Sequence, residues 1–293
     1  MTVVNISIIV PYYNNKIGLK RLLDSVGQAS DVEVIIINDH SESVVDLIEQ
    51  YDSINIKYLE QVDGKRWAGA ARNLGLSQAA GKFVMFADAD DFLCTDWYLK
   101  VRKYFQADFD VVYFSPEATV IGSNSLAKRH LGYRELVNKY LTSDDQIIRY
   151  RFHVPWSKLI RRSLISSNNL SFDEVIASND VIFSLKVGFH AYKITADYNS
   201  IYCVTESAGS LTKQSTETVL DSRFDVMARF NDFLIEKNKT EYLGAMSGHL
   251  KNALKFGMSK FFYRFFYCRY MGYPIFYSFS HIIHVIKREL FNK

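Results

Sequence analysis

Three short polar clusters each follow a run of β-branched or aromatic residues: Pro11-Tyr12-Tyr13-Asn14-Asn15, Asn38-Asp39-His40-Ser41 and Asp88-Ala89-Asp90-Asp91. Asn, Asp and Ser commonly make turns and helix caps, and for any one cluster that account competes evenly. The third cluster is the sharpest. Neighbouring carboxylates repel one another and stay ionised at low cost only beside a cation. Their hard oxygens suit Mg²⁺ or Mn²⁺, which would bridge to a diphosphate and neutralise its charge as it leaves. An N-cap for the helix that follows would occupy at most one of the three. Asp39 is suited to accept from a base imide N–H or a ribose hydroxyl, and the Tyr13 ring offers a base a surface to stack on. Arg72 and Asn73 close a small-residue helix start, Ala68-Gly69-Ala70-Ala71-Arg72-Asn73. Small residues permit close approach, and an Arg there has the reach for a phosphate. Tight helix packing beneath a surface Arg is the alternative for that segment.

These residues need a scaffold that brings them together, and the first 115 residues read as one. Val4–Val10, Val32–Asn38, Ile54–Leu59, Phe83–Ala87 and Asp110–Ser115 are strand candidates, most of them continuous apolar runs typical of strands buried on both faces. Helical patterns lie between them near Gly18–Ala29, Ser43–Tyr51, Trp67–Ala80 and Thr95–Phe105. This alternation predicts an α/β fold with a mostly parallel sheet flanked by helices. Such sheets bind ligands beyond the carboxyl ends of their strands, which is where the three clusters fall. After Ser115 the rhythm breaks. Residues 116–130 read as a loop, Trp156–Ser166 and Asp180–His190 as helices, and Tyr192–Ala196 and Ser200–Thr205 as short strands. From Glu217 the pattern is helical to the end, with an interruption at Gly272–Pro274. The expected division is 1–115, 116–216 as the second half of the same domain, and a helical C-terminal extension over 217–293.

Composition narrows the class. With 48% hydrophobic and 23% charged residues over 293, the chain is globular, and disorder, collagen and coiled coil are poor descriptions. Cys94, Cys203 and Cys268 are odd in number and scattered, so neither a disulfide framework nor a zinc site fits. The N-terminal segment has no basic region of a signal peptide, and a cytoplasmic protein is the expectation. Charge is uneven. Between Lys251 and Lys293 five Lys and three Arg face a single acid, Glu289, and the same region holds 13 of the 43 aromatic residues. Its longest uncharged stretch, Tyr270–Ile286, is 17 residues with a proline, a poor spanning helix. Basic residues interleaved with Phe and Tyr suit a helix lying in a membrane interface, in preference to a cap on the core. No nucleic-acid recognition motif accompanies them.

Val10-Pro11-Tyr12-Tyr13-Asn14, Val34 through Ser41, Ala70-Ala71-Arg72-Asn73-Leu74-Gly75 and Phe86 through Asp91 resemble, in order and spacing, the successive signatures of family 2 inverting glycosyltransferases with the GT-A fold. The resemblance is strongest over residues 4–115 and weaker to about 213. It implies a nucleotide-sugar donor, most often UDP-linked, bound by the 1–115 half, with the acceptor in the 116–216 half. Pro11, Tyr13, Asp39, Arg72, Asn73, Asp88 and Ala89 would then contact the donor, with Asp88 on the ribose. Asp90 would bind Mn²⁺ or Mg²⁺, with Asp88 and Asp91 as further candidate ligands. Inverting transfer needs a general base, and Ser178-Asn179-Asp180-Val181 fits the family's place for it, with Asn179 where a Glu is usual and Asp180 as the base. An acid in the first turn of a helix is the alternative for Asp180. Trp156-Ser157-Lys158 resembles a segment bordering the acceptor pocket, where Trp156 and Lys158 would act. An indole face suits stacking on a sugar ring, and buried packing of the Trp is an equally good account.

Two departures stand out: His40 replaces a usual glycine, and Thr205-Glu206 stands before a late loop, Ser207–Thr212, where a basic residue is common. The implied activity is a metal-dependent hexosyl- or N-acetylhexosaminyltransferase. It would act on a lipid-linked saccharide of bacterial O-antigen or capsule, peripherally on the cytoplasmic membrane face. Two other readings stay open. One is a degenerate transferase kept as a carbohydrate-binding or membrane scaffold. The other is a sugar-nucleotide pyrophosphorylase, which would want a glycine-rich, Arg-containing loop that Pro11–Asn15 lacks.

Overall fold

The run Val32–Asn38 forms strand β2, in which every residue is buried. It lies between β1 (Ile6–Tyr12) and β3 (Asn55–Glu60), parallel to both. Ile35, Ile36 and Ile37 are fully buried, each withdrawing apolar surface worth about 1.5–3 kcal/mol from water. Even the buried Glu33 carboxylate is satisfied. It accepts from the Ser7 hydroxyl at 2.5 Å and the Ala80 N–H at 2.7 Å, and pairs with Lys57 at 2.7 Å.

The computed structural model describes residues 3–122, 127–206 and 215–276. Four more strands extend the sheet: β4 (Phe83–Phe86), β6 (Val111–Phe114), β8 (Lys158–Arg161) and β9 (Ile194–Asp197). Among the described residues the order is β3-β2-β1-β4-β8-β6-β9, with β8 antiparallel to both its neighbours and every other pair parallel. A smaller sheet joins β5 (Phe92–Leu93), β10 (Tyr202–Glu206) and β7 (Glu117–Val120), in that order. The helices α1 (Lys16–Val26), α2 (Val45–Ile48), α3 (Trp67–Gln78), α4 (Trp97–Arg102), α5 (Leu131–Ser143), α6 (Ile147–Arg151), α7 (Arg162–Ser167) and α8 (Val181–His190) complete this part.

Two expectations change. The helix predicted over Trp156–Ser166 is instead β8 followed by the short α7. Leu159 and Ile160 are buried between two strands, and pairing on both edges outweighs the helical period of a segment this short. The loop predicted over 116–130 contains β7, which pairs with β10.

The chain divides into two compact units, Met1–Val175 with Asn179–Ser210, and Ile176–Ser178 with Leu211–Lys293. The second contains α9 (Glu217–Glu236), α10 (Ser247–Leu254) and α11 (Met258–Tyr270) around Phe224, Met246, Leu250, Cys268 and Tyr273. The loop Ser207–Thr212 and the sequence beyond Phe276 lie outside the described residues. Among the described residues no helix is long and apolar enough to cross a membrane.

Candidate active site

Strand register brings the polar clusters to one sheet edge. Tyr12 pairs with Asn38, the Asp39 N–H donates to the Tyr12 carbonyl at 2.8 Å, and the Ala87 N–H donates to that of Ile9 at 3.1 Å. Local structure consumes two of the polar side chains. Asn15 Oδ1 accepts from the Gly18 N–H at 3.0 Å and caps α1. Asn38 Oδ1 accepts from the Ser41 N–H and hydroxyl. Asp39, by contrast, keeps one carboxylate oxygen without a partner.

Asp39 Oδ2 accepts from the Trp67 N–H at 3.0 Å, while Oδ1 is buried without a partner. Burial pushes this carboxyl up. An unmet buried acceptor costs about 1–3 kcal/mol, a cost that a ligand N–H or hydroxyl would remove. The adjoining His40 has φ 56° and Trp67 φ 77°, the left-handed region that favours glycine. His40 therefore keeps the backbone shape a glycine would give, and its Nε2 hydrogen-bonds the Lys65 carbonyl at 2.8 Å. Tyr13 is exposed beyond the end of β1, and Pro11 is half-buried within it.

Asp88, Asp90 and Asp91 each offer a carboxylate oxygen within 4.8 Å of the others. Asp91 is buried and held on both sides, accepting from the Tyr202 hydroxyl and the Thr205 N–H at 2.7 Å each. The Tyr202 oxygen also accepts from the Asp88 N–H at 2.8 Å, so one phenol fixes the turn. Burial, then the charge of Asp88, raises the Asp90 carboxyl. Desolvation and both neighbours raise that of Asp91 further. Carboxylates that oppose each other's ionisation fit a hard divalent cation. Arg21 donates to the Asp90 carbonyl and, at 3.2 Å, to Thr205 Oγ1, tying α1 to this turn. Ala89 is buried, and its carbonyl lies 2.6 Å from where a Cβ on Gly18 would stand.

Arg72 joins this turn to the segment before α8. Its Nη2 donates to Asp88 Oδ1 at 2.5 Å and its Nη1 to Asn179 Oδ1 at 2.8 Å, with the guanidinium over the Phe172 ring at 5.3 Å. Asp180 follows at the start of α8, where its side chain makes no cap hydrogen bond. Burial raises its carboxyl, and Arg72 draws it part of the way back. Close approach of α3 makes this possible, since a Cβ on Gly69 would stand 2.0 Å from the Asp173 carbonyl oxygen and 3.0 Å from Asn179 Cβ. Gly69→Ala is expected to cost about 1–3 kcal/mol of stability and to lower activity by displacing Asn179 and Asp180. Thermal melts with single-turnover rates check both, and an unchanged melt would contradict the close approach.

The structure does not bring every predicted residue to the cleft surface. Both ends of the Asn73 amide are engaged by the Phe172 backbone, at 3.0 and 2.8 Å. Trp156 is 1% exposed, stacked on Tyr202 at 5.6 Å and edge-on to Tyr133 at 5.1 Å, so neither face is open to a sugar ring. Lys158 is buried, donating to the Phe152 carbonyl at 2.7 Å, and desolvation pushes its amine down to about 7. Sequence reasoning missed Arg129. The Glu206 carboxylate accepts from the Lys128 and Arg129 N–H groups at 2.7 Å each. That anchors a guanidinium 5.9 Å from the Trp156 ring. Burial disfavours the charge of Arg129, but Asp88 and Asp91 more than compensate, leaving its pKa raised. Glu206 thus stands where a base was expected and positions one from elsewhere in the chain.

A sequence model of the family described as "Glycosyl transferase family 2" matches residues 7–167. The glycosyltransferase GlyA of Streptococcus pneumoniae is 26% identical over 277 residues, 87% of this chain and 39% of GlyA. The poly(ribitol-phosphate) beta-N-acetylglucosaminyltransferase TarS of Staphylococcus aureus is 24% identical over 204 residues, 67% of this chain and 34% of TarS. The chain therefore spans well under two thirds of either relative. A crystal structure of TarS 1–349 in complex with UDP-GlcNAc shares the fold, with a TM-score of 0.67 at 21% identity over 87% of this chain and 74% of that one. The mannosyltransferase PcManGT of Pyrobaculum calidifontis, in complex with GDP-Man and Mn²⁺, gives 0.53 at 14% identity over 87% and 65%.

Proposed function

The chain belongs to glycosyl transferase family 2, and from that premise we propose that it transfers a sugar, with inversion, from a UDP-sugar to a hydroxyl of a lipid-linked saccharide in bacterial surface-polysaccharide assembly, O-antigen or capsule. One observation carries the reading. The Arg72 guanidinium bonds both Asp88 in the acidic turn and Asn179 beside Asp180. A diphosphate and an attacking hydroxyl would then meet around a single fixed charge. In this reading residues 1–115 hold the nucleotide and 116–216 the acceptor. The unmet Asp39 Oδ1 takes a uracil imide N–H or a ribose hydroxyl, with Tyr13 and Pro11 against the base. Asp88 and the Ala89 backbone border the ribose.

The donor set suits Mn²⁺ or Mg²⁺ on Asp90 with Asp88 beside it, while Asp91 shapes the turn. A bound cation supplies neutralisation of the diphosphate leaving group. This chain's own residues do the rest. Arg72 and Arg129 hold the phosphates, and Asp180 removes the acceptor hydroxyl proton as that oxygen attacks the anomeric carbon. Trp156 and Lys158 act from beneath, Trp156 by bracing Tyr202 and Lys158 through its electrostatic coupling to Asp180. UDP-GlcNAc in the TarS complex and Mn²⁺ in the PcManGT complex support the donor class and the ion. The lipid-linked acceptor sets the reaction at the cytoplasmic membrane face, reached through the C-terminal region.

A thermal-shift panel of UDP, GDP, dTDP and CMP, each with Mn²⁺ and with EDTA, tests the reading. UDP with Mn²⁺ is expected to raise the melting temperature, because a ligand of the native state stabilises by mass action. The gain is expected to vanish in EDTA. Preference for another nucleotide would move the donor class, and no shift with any of them would favour the scaffold reading.

A further inference from the structure

Helix α11 has two apolar faces, and the fold of its own unit uses one. Arg264 and Cys268 are buried on the inner face, with Phe261, Phe265 and Tyr267 packed on the core of α9 and α10. Arg264 fixes that orientation, reaching Asp221 Oδ1 at 2.7 Å with its guanidinium 4.2 Å from the Phe224 ring centre. The outer face carries Met258, Phe262, Phe266 and Tyr270 at four-residue steps, with Tyr263 beside them, and all five are exposed. Residues four apart share one helix face. Tyr270 is 89% and Phe266 64% exposed, and the Phe262 and Phe266 rings stack on each other at 6.3 Å. One turn earlier, Leu254 of α10 is exposed as well.

Charge decides what such a face meets. From Lys251 to Phe276 the chain has no acidic residue, and Lys255, just before α11, and Arg269, seven residues on from Phe262, are exposed. Lys260 and Arg264, by contrast, are turned inward onto Glu217 and Asp221. A second copy laid face to face would set the basic α11 stretches against each other, the nearest acids being Asp225 and Asp232 of α9 in the groove beside Tyr263. A bilayer rich in anionic headgroups has the opposite charge, and its interface accepts Phe, Tyr and Met to the depth of the glycerol groups.

The geometry points to the outer face of α11 as an interfacial anchor, seating Met258, Phe262, Phe266 and Tyr270 in an anionic membrane surface with Lys255 and Arg269 on the headgroups. This deepens the proposed function, on whose membrane-borne acceptor its purpose rests, yet it is tested with no donor or acceptor present. Co-sedimentation of the full chain with phosphatidylglycerol vesicles is expected to show binding that weakens in high salt and is far weaker on pure phosphatidylcholine. Phe262→Ser with Phe266→Ser is expected to lower partitioning about tenfold or more. Both rings are exposed, so melting temperature and UDP binding are expected to stay unchanged.

Equal partitioning of the double variant would overturn the proposal. So would light scattering that shows a wild-type dimer dissociated by the same substitutions, since the face would then join two copies. Vesicle binding without any nucleotide response would instead leave the anchor standing and remove the donor reading.

Discussion

Asp180→Asn is expected to lower transfer about 10²–10⁴-fold, the usual worth of a positioned general base, while UDP affinity and the melting temperature stay near wild type. The substitution is nearly isosteric, and the side chain it changes does not cap α8, so no helix-terminus bond is lost. Two features suit Asp180 to take a proton. Burial raises its affinity for one, and Arg72 moderates that rise. The base must be unprotonated to act. Transfer by the wild type is therefore expected to fall as pH drops through the raised carboxyl value and to level off above it, and Asp180→Asn is expected to abolish that acid limb. The measurement is kcat/KM against pH for both proteins, with calorimetric UDP binding alongside. Full transfer by Asp180→Asn would show that another group takes the proton, and loss of UDP binding would place Asp180 in the donor site instead.

How far these roles could be read from sequence depended on how local their causes were. Val32–Asn38 emerged at its observed bounds because a run of β-branched residues buried on both faces has few other uses. The clustering of Asp88, Asp90 and Asp91 was legible because the carboxylates are neighbours in the chain, while the proposal for Asp180 rests on the motif that surrounds it. The burial of Lys158 was not legible for the opposite reason. Its segment reads as a helix, and only the pairing of β8 with β4 and β6 turns it inward. Trp156 likewise owes its burial to Tyr202 and Tyr133, residues remote in sequence. Arg129 left no local signal at all. Its place beside the acidic turn depends on Glu206, 77 residues away, accepting from its backbone N–H. The Thr205-Glu206 departure was the available clue, since an acid where a base is common implies a cation drawn from elsewhere.

Arg72→Ala is expected to damage folding and chemistry together, and Arg72→Lys to separate the two. The Arg72 side chain is 6% exposed and that of Asp88 25%. Deleting a buried partner typically costs about 3–5 kcal/mol, and a value near 3 is expected here because water still reaches Asp88. The loss also removes the positive charge that offsets Asp88, one of the three clustered carboxylates. Mn²⁺ is therefore expected to restore more melting temperature to Arg72→Ala than it adds to the wild type, a differential that simple loss of packing would not produce. Arg72→Lys keeps a charge beside Asp88 but has no planar fork to reach Asn179 as well. Its melting temperature is expected to lie close to wild type while kcat falls about 10²-fold or more, the scale of losing one preorganised donor. The pair of variants, melted with and without Mn²⁺ and assayed for transfer, decides whether the guanidinium works by its charge or by its geometry. Near-wild-type kcat in Arg72→Lys would mean that charge alone suffices and that the bond to Asn179 does not organise Asp180.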